Sequence, residues 1–275
     1  MHCTNIVITD LTVATMKIQP NVQLGSEKLN IIDMTGVSGN KSLLTVSNKR
    51  KLLLLDNKTD TVLSEIVLNA KTRSTCMIDS QQAATALANK KIQFIKVKDN
   101  TLEDEKLLDV DVDVMGIVSF KNTIVVSSHN PPGVRIISKD GAVIHNMDNT
   151  TIGREMFKKP RRITATSDDS IYVADWGTHE ITRLDSSLTI LQKFCDPLFE
   201  SPCGIIALNR DQLLVCSFGN NSIVQIRPST NSMTVLLDKQ HGIQKPQSFC
   251  FCKKQKKLYV APGDETTSVL VYKIT

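Results

Sequence analysis

Short apolar segments alternate with brief polar turns along the whole chain, and a two-strand phrase recurs at intervals of 40 to 48 residues. The phrase is an apolar strand that ends in small or polar residues and a turn, followed directly by a second apolar strand. The clearest copy is Ile171–Asp185, and weaker copies begin at residues 42, 83, 123, 212 and 257. A strand-rich repeat of this length is typical of the blades of a β-propeller.

The repeat therefore predicts an all-β fold, a six-bladed β-propeller that occupies residues 1–275 as a single domain. The blades are expected at residues 29–70, 71–110, 111–148, 161–195, 202–238 and 246–275. The last blade shows only three strands. A segment within residues 5–18, either Asn5–Ile8 or Leu11–Ile18, is expected to add the fourth strand and close the ring, because closure removes an exposed sheet edge. The insertion Asn149–Lys159 explains the longest interval and is expected to hold a short helical turn.

The composition and the N-terminal sequence indicate the cellular location of the protein and the state of its cysteines. Apolar residues make up 41% of the chain, enough for a packed core, but no run approaches the roughly 18 apolar residues of a membrane span. The N-terminus lacks the pattern of a secretory signal, so a cytoplasmic location is expected. The seven cysteines form no C-x-x-C pair. Scattered core thiols are the favoured interpretation, with a disulfide or metal framework as the alternative; Cys250 and Cys252 share one strand face and could form a metal pair.

The segment Tyr172–Ile181, with Val173-Ala174-Asp175 at a strand end, resembles the NHL repeat. Partial matches follow at Pro202–Ile206 and Phe218–Ser222. The chain is therefore similar to the C-terminal propeller of tripartite-motif (TRIM-NHL) proteins, without the RING, B-box and coiled coil of that family. The resemblance implies a non-catalytic scaffold that binds a protein partner or RNA. It implies no enzyme activity and no cofactor, and a ring that is monomeric in isolation.

Loop residues suggest where a partner would bind. In this connectivity the turns between second and third strands share one face with the connections between blades, and basic and aromatic residues cluster in those loops. Cations and flat rings are what single-stranded RNA or an acidic peptide would need. The candidate partner-binding residues are Lys49, Arg50, Arg73, Lys90, Lys91, Lys158, Lys159, Arg161, Arg162, Trp176, His179, Phe218 and Lys245.

Each of these features has a second interpretation. The loop lysines could be ordinary solvated surface, since Asp and Glu residues share the same face, and Lys158–Arg162 could be a nuclear address. Asp175 is expected to organise its turn by accepting backbone hydrogen bonds rather than to act in catalysis. Trp176 could equally plug a groove between blades or face a ligand.

The alternative function is a metal-dependent propeller hydrolase of the lactonase or esterase type. Such a site needs several oxygen ligands carried inward from different blades. The strand ends offer Asp175, Asn220, Asn221 and Asp264 as candidate ligands. No G-x-S-x-G nucleophile motif and no glycine-rich phosphate loop is present in the sequence.

Overall fold

The computed structural model describes residue 11, residues 16–153 and residues 155–274. This part of the chain forms six antiparallel sheets of four strands, and the first strands of neighbouring sheets contact one another around a central channel. The prediction of an all-β, six-bladed propeller is confirmed.

Within a blade we number the strands first to fourth from the channel outward. The blade strands are, in chain order, β2 (Ile31–Val37), β3 (Lys41–Val46), β4 (Lys51–Asp56) and β5 (Thr61–Val67); β6 (Thr72–Met77), β7 (Gln82–Leu87), β8 (Lys91–Lys98) and β9 (Thr101–Asp109); β10 (Val114–Phe120), β11 (Thr123–His129), β12 (Pro132–Ile137) and β13 (Val143–Asp148); β14 (Pro160–Ala165), β15 (Ile171–Asp175), β16 (Glu180–Leu184) and β17 (Ile190–Cys195); β18 (Pro202–Asn209), β19 (Gln212–Ser217), β20 (Ser222–Arg227) and β21 (Ser232–Leu237); and β22 (Pro246–Cys252), β23 (Lys257–Pro262) and β24 (Ser268–Ile274).

The sixth blade takes its fourth strand from the other end of the chain. Strand β1 (Met16–Gln23) pairs antiparallel with β24, with Met16 opposite Ile274 and Gln23 opposite Ser268. Closure by an N-terminal strand is therefore confirmed, but the strand extends to Gln23, beyond the predicted end at Ile18. Residues 5–10 and 12–15, which belong to the two candidate segments, lie outside the described residues.

Burial explains why the apolar pattern alternates imperfectly. Second strands lie between two neighbouring blades, so both of their faces are covered, and all five residues of β15 are buried. Fourth strands form the outer rim, and most residues of β13 are exposed. The described core consists of six clusters of buried side chains, one at each boundary between neighbouring blades. A strand packed on both faces loses the period-two signal of a half-buried strand.

The smaller expectations can now be checked. The insertion contains a single-turn helix, α1 (Asn149–Ile152), as predicted. The cysteines among the described residues are free thiols, five of them buried and Cys195 exposed, which confirms scattered core thiols for this part of the chain; Cys3 lies outside it. No helix within the described ranges is long and apolar enough to cross a membrane.

Candidate functional site

The central channel is lined by the first strands of all six blades. The N-terminal ends of these strands meet the face that carries the turns between second and third strands, which we call the upper face. Their C-terminal ends meet the opposite, lower face. Any small molecule that binds the channel must enter from one of these two sides.

Arg162 blocks the channel between the two faces. Its side chain is buried, and its guanidinium donates to three main-chain carbonyls of other blades: Met115 O at 2.7 Å, Ile32 O at 2.6 Å and Arg73 O at 2.9 Å. Because those carbonyls belong to β10, β2 and the start of β6, a single side chain links four blades.

Asp33 provides the opposite charge. Its Oδ1 lies 3.5 Å from Arg162 Nε and accepts from Ser248 Oγ at 3.1 Å. Its Oδ2 accepts from Ser74 Oγ at 2.5 Å and from Thr75 N at 2.9 Å. A buried carboxylate is tolerated when its lone pairs are satisfied in this way. The pair and its hydroxyl partners therefore form a rigid polar layer across the channel.

Below this layer the channel opens into a cavity of about 280 Å³. Its wall mixes half-buried apolar side chains, such as Ile206 and Phe251, with the hydroxyls of Thr35 and Thr164. Thr164 Oγ1 accepts from Ala207 N and Thr35 Oγ1 donates to Thr75 O, so the wall hydroxyls already have partners within the ring.

Above the layer, one position of the repeat supplies a ring of side chains. In each blade, the first residue of the first strand pairs with a residue at the end of the second strand. The position meant here is the next residue along the chain after that partner. In chain order the six residues at this position are Ser47, Ala88, His129, Trp176, Phe218 and Gly263. Large side chains thus occupy this position in three successive blades, the third to the fifth.

Among the buried polar atoms of the upper face that lack hydrogen-bond partners in the described part of the chain, three belong to titratable side chains: His129 Nε2, Arg73 Nε and Asp113 Oδ1. Arg73 Nη2 lies 3.6 Å from Asp113 Oδ2. An unpaired buried polar group destabilises a fold by about 1–3 kcal/mol, so three of them in adjacent blades call for an explanation. A ligand that supplies the missing partners is one.

The electrostatics at His129 favour the neutral imidazole. Burial lowers the pKa of His129 below its ordinary value of 6.5, and the charges of Arg161 and Arg73 lower it further, against a smaller opposing effect of Asp113. A neutral imidazole carries one nitrogen that can accept a proton. His129 is therefore suited to act as a base at neutral pH.

Arg161 lies beside this group, over an aromatic ring. Its guanidinium carbon lies 4.7 Å from the centroid of the Trp176 ring, and the Trp176 ring lies 5.0 Å from that of Phe218, tilted by 54°. Phe218 in turn packs on Gly263, where a Cβ atom would lie 2.3 Å from Phe218 Cε2. A continuous series of contacts therefore runs across blades four to six, from Arg161 through the Trp176 and Phe218 rings to Gly263.

Most of the predicted partner-binding residues do not come together. Lys49, Lys91 and Lys245 form ion pairs with Glu27, Asp109 and Asp264 at 2.5, 2.6 and 3.4 Å. Arg50 and Lys90 are exposed in turns with positive φ, and Lys158 and Lys159 are exposed beside Asp175. The exposed His179 accepts from Ser201 N at 2.8 Å through Nδ1.

The structure does bring together Arg73, Arg161, Trp176 and Phe218 around the upper channel mouth, whereas Arg162 lies beneath the mouth and is only 5% exposed. The residue that sequence reasoning missed is His129, which belongs to no motif. The available signal was its register, since aligning the blades places it at the position of Trp176 and Phe218.

Asp175 has the structural role that was predicted for it. It is fully buried, and its carboxylate accepts from the backbone N–H groups of Lys158, Lys159, Gly177 and Thr178 at 2.8 to 3.2 Å. The carboxylate therefore fixes the turn after β15 against the start of β14.

The four metal ligands considered in the alternative are tied to different loops. Asn221 Oδ1 accepts from Lys245 N, Asn220 donates to Pro197 O, and Asp264 faces Lys245. Among the described residues, no group of three or more His, Cys, Asp or Glu side chains could hold a metal ion. The Cys250–Cys252 pair belongs to no such group, and Cys250 Sγ lies 3.2 Å from Ser42 Oγ.

Comparisons with known proteins agree on the fold. No protein-family model matches the chain, and no curated protein sequence matches it. Among solved structures, a streptogramin B lyase is similar with a TM-score of 0.66 at 15% identity, over 97% of this chain and 100% of that one. Virginiamycin B lyase from Staphylococcus aureus gives 0.68 at 17% identity, over 94% and 100%. A catalytically inactive histidine-to-alanine variant of the Staphylococcus aureus lyase with quinupristin gives 0.68 at 18%, over the same shares.

These findings correct the functional prediction. The expectation of a non-catalytic TRIM-NHL-like scaffold that is not an enzyme is wrong, because the solved propellers to which the chain is similar over nearly its whole length are lyases. The physical reason is that the Val-Ala-Asp signature reports a turn built around Asp175. That turn is part of the scaffold, and a scaffold can carry catalytic or non-catalytic sites alike.

Proposed function

We propose that this protein is an enzyme that cleaves a carbon–oxygen bond of a small-molecule ester or lactone by base-initiated elimination. Its active site is the upper channel mouth, and His129 is the base. The observation that carries the proposal is the cluster of unpartnered buried atoms at His129, Arg73 and Asp113. The likeness of the fold to streptogramin B lyases supports it.

The proposed step begins with removal of a proton from the substrate carbon next to its carbonyl group. The imidazole of His129 accepts this proton, the C–H electron pair forms a carbon–carbon double bond, and the carbon–oxygen bond to the departing carboxylate breaks. A positioned base of this kind contributes about 10²- to 10⁴-fold to a rate. Burial keeps the base neutral, because it lowers the pKa of His129.

The free Nε2 favours elimination over a nucleophilic mechanism. A serine or cysteine nucleophile is activated by a hydrogen bond to its base, and His129 Nε2 has no such partner among the described residues. Direct proton transfer from the substrate requires no protein nucleophile. A catalytically inactive histidine-to-alanine variant among the similar structures is in keeping with a histidine-dependent reaction.

The test is a mass-spectrometric screen of cyclic and open esters, with a streptogramin B antibiotic as one member. Elimination opens a cyclic ester without a change in mass, whereas hydrolysis adds one water. We expect ring opening at unchanged mass, reduced at least about 10²-fold in His129→Gln. His145→Gln, on the exposed rim strand β13, is the matched control and should keep full activity.

Two outcomes would overturn the proposal. One is the absence of conversion of every member of the screen by the folded wild-type protein. The other is a His129→Gln variant as active as His145→Gln. Products heavier by one water would replace elimination with hydrolysis, the reaction of the alternative prediction.

The finer sequence-based predictions stay predictions beside this proposal. They are the resemblance of the propeller to NHL repeats, a protein or RNA partner on the upper face, a monomeric ring and a cytoplasmic location. The ion pairs of Lys49 and Lys91 with acidic neighbours reduce the free positive charge that an RNA partner would meet.

A further inference from the structure

We infer that Arg161 and the aromatic stack beneath it form a recognition site for a carboxylate group of the substrate. The identification of the ligand as a substrate rests on the proposed function, whereas the anion site itself follows from the geometry around Arg161. It would restrict the enzyme to compounds that carry a carboxylate or a similar oxyanion near the bond that breaks.

Arg161 is a half-buried arginine with no carboxylate within ion-pair distance among the described residues, which sets it apart from three other arginines that are shielded from water. Arg135 Nη1 lies 2.6 Å from Asp111, Arg183 Nη2 lies 3.2 Å from Asp168, and Arg162 Nε lies 3.5 Å from Asp33 inside the channel. The side chain of Arg161 makes no hydrogen bond or ion pair with the described residues. Its contact is the face of the Trp176 ring.

The charge of Arg161 is nevertheless largely removed from water. Burial, with help from the neighbouring Arg162 and Arg73, lowers its pKa to about 10. The group therefore stays charged at neutral pH, in surroundings where a charge is normally paired. Of the three arginines of this region, Arg73 lies 3.6 Å from Asp113 and Arg162 lies 3.5 Å from Asp33. The third nearby carboxylate, Asp175, accepts from backbone N–H groups of its turn, so Arg161 is the one arginine of the three without an ion-pair partner among the described residues.

Stacking also orients the guanidinium for such a ligand. A guanidinium that lies over an aromatic ring is held through its flat face, and the N–H donors at its edge stay available for a bidentate bond to a carboxylate. Phe218 supports Trp176, and the lack of a side chain on Gly263 makes room for Phe218. The stack thus fixes Arg161 without using its donors.

Trp176 makes the site directly observable, because it is the single tryptophan of the chain. The experiment titrates acetate, at ionic strength held constant with chloride, and records Trp176 fluorescence. We expect a saturable change for the wild type and for His129→Gln. Arg161→Gln should weaken binding at least tenfold, and Arg161→Lys should weaken it less, because an ammonium keeps the charge but has no planar fork.

Arg183→Gln is the control, since its guanidinium pairs with Asp168 at the lower face, and it should bind acetate as the wild type does. Thermal melting of each variant verifies folding. Acetate binding by a folded Arg161→Gln variant at wild-type strength, or no saturable change in the wild type, would overturn the anion site. Loss of catalysis in His129→Gln together with unaltered acetate binding in Arg161→Gln would leave the proposed function standing and remove this inference alone.

Discussion

His129 shows how a single side chain acquires a function from its surroundings. Its distinguishing properties are a buried Nε2 without a partner in the described part of the chain and a pKa lowered by burial and by nearby guanidinium groups. Neither property is visible in the sequence, where His129 follows two serines at a strand end. The histidine matters because of what the third blade places around it.

The pH dependence of the reaction should report this environment. Only the neutral imidazole accepts a proton, so activity is present above the pKa of His129 and is lost as the pH falls through it. Since that pKa lies below 6.5, we expect the acidic limb of a kcat/KM profile below pH 6.5. The limb of kcat/KM reports the free enzyme.

Arg73 should move that limb. Arg73→Gln removes a cation that lowers the pKa of His129 and leaves the carboxylate of Asp113, which raises it. Loss of the cation, with the carboxylate retained, raises the pKa of His129 and therefore shifts the acidic limb to higher pH. Arg183→Gln should leave the limb in place, and a limb that stays fixed in Arg73→Gln would contradict the placement of His129 beside these charges.

How far the sequence could lead to this site is clear from individual residues. Trp176 and Phe218 were singled out because aromatic rings are conspicuous in polar turns, and Arg73 and Arg161 because basic residues cluster there. His129 required blade-to-blade register, which turn and strand patterns locate only to within a few residues. The neighbouring Arg161 and Arg162 could not be distinguished, because alternation tells that they point apart but not which one enters the channel.

At the scale of elements, one charged side chain joins the first strands of four blades, in addition to the apolar clusters between blades. Arg162 projects from β14 and donates to three main-chain carbonyls, those of Met115 in β10, Ile32 in β2 and Arg73 in β6. Removal of one partner from a buried pair leaves an uncompensated charge. The hydrogen bonds of Arg162 therefore hold four blades together, and substitution of Arg162 by an apolar residue would remove them.

Arg162→Met should lower the free energy of unfolding by about 3–5 kcal/mol, measured by urea denaturation. Arg162→Met combined with Asp33→Asn should be less unstable than the sum of the single changes, by about 0.5–3 kcal/mol, because the second change removes the stranded charge. Arg210→Met, on an exposed turn, should change stability by less than about 0.5 kcal/mol. Strict additivity of the two channel substitutions would show that the pair is not coupled.

At the scale of the whole molecule, the ring depends on β1. Val22 is 3% exposed and packs in the cluster between the sixth and first blades, whereas Ile18 on the same strand is 60% exposed. The two positions therefore test ring closure without changing the strand itself.

Val22→Asp should destabilise the ring by more than about 3 kcal/mol, because it buries an unpaired charge. Ile18→Asp should stay within about 0.5 kcal/mol of the wild type. Trp176 fluorescence during chemical denaturation gives both values. Equal stability of the two variants would mean that β1 is not required to hold the ring together.

The six-bladed ring itself was predictable, because each blade contributes one copy of the repeat to the sequence. Closure was predictable because the last blade lacked a fourth strand, which would leave an unpaired sheet edge. The end of the closing strand was placed too early in the chain, at Ile18 instead of Gln23, since several short apolar segments precede the first blade and pattern alone does not distinguish among them. The function was not predictable from the same repeat. The residues that define blades, such as Asp175, are buried in turns, and those that define the upper mouth vary from blade to blade.

The pairing of Met16 with Ile274 also has a consequence for the order of events in biosynthesis. Strand β1 precedes the other described strands in the chain, whereas β24, on which it docks, follows them, so the boundary between the sixth and first blades closes only after chain elongation has passed residue 274. Contacts so distant in sequence form late and slowly. A growing chain would therefore hold His129 and Arg161 in completed blades before the ring around them closes.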